Sequence, residues 1–77
     1  MYVVSQNGAL MVRVYRLFIV GVGDPDDPEF EIRHKEPGTK YFEHVVLGRY
    51  NSSDAALAEM RAVVKAMAAG DGVYMLS

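Results

Sequence analysis

Cysteine is absent from the chain, which excludes a disulfide framework, thiolate ligation of zinc and a cysteine nucleophile together. A small domain without such staples has a thin stability margin, and self-association is one way for it to add buried surface. Long apolar runs are missing too. The longest, residues 17–22 (LFIVGV), falls far short of the roughly 20 residues that cross a bilayer. Residues 1–6 are uncharged and strand-like, without the basic-then-apolar order of a signal peptide, so a soluble, cytoplasmic protein is expected. An excess of positive charge is also lacking: eight Lys and Arg against ten Asp and Glu give a formal charge of −2. That balance offers no general attraction to nucleic-acid phosphate or to an anionic membrane, although it leaves room for a local basic patch.

What the 77 residues do supply is 51% hydrophobic side chains with 23% charged, the mixture of a folded globular chain. A chain of this length has room for one domain, residues 1–77, and one core, burying about 60 to 65% of its unfolded surface. No internal repeat, linker or low-complexity tract divides it.

The strongest local signal is Asn7-Gly8 after the extended run Tyr2, Val3, Val4, Ser5, Gln6, because that pair tolerates the positive φ angles of a tight hairpin. A two-residue loop would set Gln6 opposite Ala9, Val4 opposite Met11 and Val3 opposite Val12. After a break at Tyr15-Arg16, the β-branched and aromatic residues 17–22 predict a third, mostly buried strand. Residues 23–28 carry two prolines and three aspartates and are expected to form an exposed acidic loop. Phe30 and Ile32 then alternate with Glu31, Arg33 and Lys35, the pattern of a strand with one wet face. Pro37-Gly38 signals a type II turn into a long strand over residues 41–50. A loop of two or four residues there gives pairs of odd sum, with Phe30 and Ile32 on the face of Val45 and Leu47.

Asn51, Ser52 and Ser53 are all good helix caps, and the alanine-rich run that follows predicts a helix over about residues 53–69. Leu57, Met60, Val64 and Met67, flanked by Ala56 and Val63, form an apolar stripe to pack on a sheet, with Asp54, Arg61 and Lys65 on the far side. Gly70 suits the left-handed residue after the helix, and residues 73–76 read as a last short strand. Were that strand to pair parallel with the one before the helix, the crossover would be right-handed. The expected fold class is α+β: an antiparallel sheet of about four to six short strands on one C-terminal-half helix, then a final strand.

The opening Tyr2-Val3-Val4-Ser5-Gln6-Asn7-Gly8, the Leu47-Gly48-Arg49-Tyr50-Asn51-Ser52-Ser53-Asp54 junction into the helix, and the closing Val73-Tyr74-Met75 resemble a group of short uncharacterised proteins of bacteria and their phages. That group has an N-terminal Ser-Gln-Asp/Asn-Gly turn and a Leu-Gly-x-Tyr-x-Ser strand-to-helix junction. The resemblance covers both ends of the chain, about half its length, and implies a fold and a mobile-element context. It transfers no activity and no catalytic residue.

Candidate chemistry is sparse. Gly21-Val22-Gly23-Asp24-Pro25-Asp26 opens like a dinucleotide fingerprint, but Asp26 stands where the third glycine belongs, Pro25 interrupts and no helix follows. Asp24, Asp26, Asp27 and Glu29 offer hard oxygen ligands without the spacing of a calcium loop. His34, Glu36, Glu43 and His44 suggest a metal or acid–base cluster, yet alternation brings Glu43 near His34 and sends His44 to the opposite face. Ser5, Ser52 and Ser53 occupy turn and cap positions, outside any nucleophile elbow. No catalytic, cofactor-binding or metal site is therefore assigned, and no enzyme activity, cofactor or small-molecule substrate is expected.

The expected function is that of a non-catalytic interaction or accessory protein, a homodimer or the binder of another protein through an open sheet edge. Methionines 1, 11, 60, 67 and 75 are mostly core by pattern, those near the sheet rim adding an adaptable contact surface. The alternative is a nucleic-acid-binding accessory protein with a patch drawn from Arg13, Arg16, Arg33, Lys35, Arg49, Arg61 and Lys65, on which Tyr41 and Phe42 stack bases.

Overall fold

The computed structural model describes residues 1–38, 40 and 43–77. Its elements are β1 (Tyr2–Val4), β2 (Met11–Arg13), β3 (Arg16–Asp24), β4 (Asp27–Lys35), β5 (Val45–Tyr50), α1 (Ser53–Ala68) and β6 (Val73–Met75). The class is α+β, with short, mostly antiparallel strands, one helix in the C-terminal half and a final strand. The strands divide between two sheets of three, ordered β2-β1-β6 and β3-β4-β5. Val3, Val12, Ile32, Leu47, Val63 and Leu76 form a core shared by both sheets and the helix.

β1 and β2 pair with Val3 opposite Val12 and Val4 opposite Met11, as the alternation implies. Their loop is wider than two residues. Ser5 donates its N–H to Leu10 O at 2.7 Å, and Gly8 donates to Ser5 O at 2.8 Å inside the loop. The reason is the buried Ser5 side chain, whose hydroxyl accepts from Leu10 N–H at 3.0 Å and donates to Asn7 Oδ1 at 2.7 Å. A wider loop satisfies a buried hydroxyl on both sides, and it frees Gln6 from Ala9.

Residues 23–28, expected to be an acidic loop, continue the sheet instead. β3 and β4 pair without interruption from Arg16 opposite Lys35 to Asp24 opposite Asp27, so only Pro25 and Asp26 remain at the tip. Gly23 makes the tight return possible: its φ is 87°, and a Cβ there would stand 2.8 Å from Asp27 O. Pro28 lies beyond the end of β5, so no third strand needs its missing donor. β3 is also less covered than its composition predicts, for none of its side chains is fully buried.

β5 begins at Val45, not at residue 41, and Tyr41 and Phe42 lie outside the described residues. Glu43 and His44 precede β5 outside the strand. Pairing is of even sum where Phe30 meets Tyr50 and Ile32 meets Gly48, and of odd sum beyond a bulge, where His34 meets Val45. An unbroken strand sends residues 47 and 50 to opposite faces. The bulge shifts the parity, so Leu47 and Tyr50 both reach the core. Gly48 leaves the space for this, because a Cβ on it would stand 2.8 Å from the Tyr50 hydroxyl.

Ser52 caps α1 by accepting from Ala55 N–H at 3.0 Å. The buried side of the helix is Ala56, Glu59, Val63 and Ala66, one residue out of phase with the expected stripe. Val63 is 1% exposed, whereas Val64 is 60% exposed and Leu57 and Met67 also face outward. Small Ala56 and Ala66 suit close approach to the sheet, and Glu59 is held inside by two donors. β6 pairs parallel with β1, Tyr2 opposite Val73, rather than with β5. Met11, Met67 and Met75 are exposed, against the core placement that pattern alone suggested. Among the described residues no helix is long and apolar enough to cross a membrane.

Candidate functional site

The β3–β4 register sorts side chains by parity. Leu17, Ile19, Ile32 and His34 share the face that meets the core. The opposite parity is left on the outside of the β3-β4-β5 sheet, away from α1. Read across the strands, its rows are Val20, Glu31 and Arg49; Phe18, Arg33 and Val46; and Arg16 with Lys35. His44 lies edge-on to Phe18, with ring centroids 5.2 Å apart at 85°. Arg16, Phe18, Val20, Arg33, Lys35 and His44 together line a groove of about 420 Å³.

Beside this groove the face carries two acidic side chains: Glu29, exposed in the next row opposite Val22, and Glu31, which is already neutralised. Glu31 is buried, and its Oε1 accepts from Arg33 Nε at 2.9 Å and from Arg33 Nη2. Its Oε2 lies 3.1 Å from Arg49 Nε. One carboxylate thus orients two guanidinium groups, leaving one positive charge in excess among the three side chains. Three cationic side chains bordering a half-buried aromatic and a valine floor can hold an anion whose flat apolar part stacks.

Of the seven cations named from the sequence, Arg16, Arg33 and Lys35 meet in the groove, and Arg49 sits one row away. Arg61 and Lys65 lie on the exposed side of α1 and do not line it, and Arg13 is on β2 in the other sheet. The histidines separate as the alternation indicates. His34 is buried on the core side, where its Nε2 accepts from Tyr15 N–H at 3.0 Å. That bond fixes the neutral tautomer with the proton on Nδ1, 3.6 Å from Glu36 Oε1. His34, Glu36, Glu43 and His44 do share the lining of a shallow depression with Leu10, Val12 and Val45. Among the described residues, no group of three or more His, Asp or Glu is placed to hold a metal ion, and this includes Asp24, Asp26, Asp27 and Glu29. The Gly21-x-Gly23 segment is the end of β3 and turns straight into β4.

Two groups escaped sequence reasoning. Gln6 ties the sheets together: its N–H donates to Leu47 O at 2.7 Å, its Oε1 accepts from Arg49 N–H at 2.9 Å, and its Nε2 donates to Ser77 O at 2.9 Å. Glu59 accepts from Tyr74 O–H at 3.0 Å and Ser77 N–H at 2.6 Å. Burial, with the Glu59 carboxylate and Tyr74 nearby, pushes the Tyr50 hydroxyl up to about 12. Tyr74 is raised by burial first, then by its hydrogen bond to Glu59 and that group's charge. These contacts lock the C-terminal strand to the helix. No protein-family model, curated protein or solved structure gives a significant match to this chain.

Proposed function

We propose that this is a non-catalytic binding protein whose working surface is the outer face of the β3-β4-β5 sheet, and that its ligand is single-stranded nucleic acid. The observation that carries the reading is the convergence of Arg16, Arg33 and Lys35 around Phe18, Val20 and His44 in one groove. Cations meet phosphates, while Phe18 and His44 present flat surfaces to bases, the pairing that sequence-tolerant single-strand binders use. An open sheet face suits a strand better than a duplex, because the formal charge of −2 over the whole chain disfavours wrapping a doubly charged polymer. The negative remainder of the surface confines the polyanion to this face.

The test is fluorescence anisotropy with a labelled thymidine oligonucleotide about ten nucleotides long. About three phosphate contacts give a slope of log affinity on log salt of about −2. Arg16→Ala should reduce its magnitude by about 0.7, one phosphate contact. Phe18→Ala should remove about 1–3 kcal/mol of affinity and leave the slope unchanged. Arg61→Glu with Lys65→Glu should change little, because those residues lie on the helix away from the groove. Absence of binding at about 50 mM salt, or equal losses from the helix variants, contradicts the reading.

A further inference from the structure

We infer that β3 pairs antiparallel with β3 of a second copy of the chain, centred on Val20, and joins two molecules into one continuous sheet. The inference does not depend on what the groove binds. β3 is the edge of its sheet, with β4 on one side and, among the described residues, no strand on the other. It is nine residues long, and it carries Leu17, Phe18, Ile19, Val20 and Val22, none of which is fully buried. A long apolar edge with unused N–H and C=O groups is a template for another strand, and native proteins cover, charge or break such edges. Between Leu17 and Val22 this edge has no charge and no proline.

The partner follows from the ends of the strand. Arg16 opens β3 and Asp24 closes it. In an antiparallel pair centred on Val20, Arg16 of each copy stands opposite Asp24 of the other, so both ends of the ladder bring opposite charges together. The same register sets Phe18 opposite Val22 and Val20 opposite its own copy on the outer face. On the inner face it sets Ile19 opposite Gly21 and Leu17 opposite Gly23. Residues of like parity meet, so each molecule's outer face continues into the other's. A shift by one residue puts outer side chains against inner ones. A shift by two separates Arg16 from Asp24. The contact is self-complementary, as a two-fold dimer requires, and the backbone gives it affinity as in strand addition generally.

The dimer would carry two outer grooves on one six-stranded face, with opposite strand polarity. Asp24 does not line the groove, so a change there tests the dimer and leaves the groove intact.

The experiment is light scattering coupled to size exclusion over a wide range of protein concentration. Wild type should show twice the 8.5 kDa of one chain. Asp24→Arg places two arginines opposite each other at both ends and should weaken the dimer at least tenfold. Adding Arg16→Asp to Asp24→Arg swaps the charges and should restore it. Thermal melts of each monomer check that the exposed substitution leaves the fold intact. A wild-type monomer at every concentration, or a dimer that Asp24→Arg does not weaken, overturns the inference. So does a double variant that remains as weak as Asp24→Arg alone.

Discussion

Gln6 donates its backbone N–H to Leu47 O at 2.7 Å while its side-chain Oε1 accepts from Arg49 N–H at 2.9 Å. One loop residue thereby completes two backbone groups of β5 and fastens the β2-β1-β6 sheet to the β3-β4-β5 sheet. The third link, Nε2 to Ser77 O, adds the C-terminal segment. Gln6→Ala keeps the backbone bond and loses both side-chain bonds. At about 0.5–1.5 kcal/mol for each, urea unfolding should show a loss of about 1–3 kcal/mol with an unchanged m value. An unchanged midpoint would mean that the two side-chain bonds add nothing to the core and the backbone bond.

The phase of α1 gives a sharper contrast between neighbours. Val63 is in the core and Val64 is on the surface, so Val63→Asp buries an unpaired charge and should abolish cooperative unfolding. Val64→Asp should stay within about 1 kcal/mol of wild type. Thermal melts followed by circular dichroism read both. Equal damage from the two variants would place the helix in the phase that composition alone suggests.

The two tyrosines near Glu59 should respond oppositely to loss of their hydroxyls. Tyr50 has a buried hydroxyl with no hydrogen-bond partner among the described residues, and Tyr50→Phe should be neutral or stabilising by up to about 1 kcal/mol. Tyr74→Phe takes a donor from the Glu59 carboxylate and should cost about 1.5–3 kcal/mol.

The pH dependence follows from the same residues. The folded state holds the Tyr50 proton until about 12, whereas the unfolded chain releases it near 10.0. Its contribution is therefore whole below 10.0 and is lost as pH rises toward 12. Tyr74, raised as well, acts in the same direction. The melting temperature should fall over that alkaline range, and less steeply in Tyr50→Phe. A profile identical to wild type in that variant would assign the alkaline loss elsewhere.

Much of this fold was legible because its signals are local. The Val3–Val12 register follows from alternation and a turn, and the helix start follows from a run of capping residues before alanine. What was not legible depends on distant partners. The buried helix face is Ala56, Glu59, Val63 and Ala66, whereas the larger apolar side chains Leu57, Met60, Val64 and Met67 set the predicted stripe one residue away. Nothing local to Glu59 shows that Tyr74 and Ser77 donate to it. Likewise, Pro25 and Pro28 signal a loop, but two residues suffice for the tip once Gly23 takes a positive φ. The groove was hidden by the same misreading. With residues 23–28 taken as loop, the pairing of Phe18 with Arg33 and of Arg16 with Lys35 was not available. The seven candidate cations could then not be sorted into those that meet and those that do not.

The most direct measurement maps the outer face of the β3-β4-β5 sheet: amide chemical shifts of the labelled protein titrated with a short thymidine oligonucleotide. The account predicts that the largest changes fall at Arg16, Phe18, Val20, Arg33, Lys35 and His44, with Arg61, Lys65 and the β2-β1-β6 sheet unmoved. Changes centred on α1 or on β2-β1-β6, or none at all under saturating oligonucleotide at low salt, would contradict it.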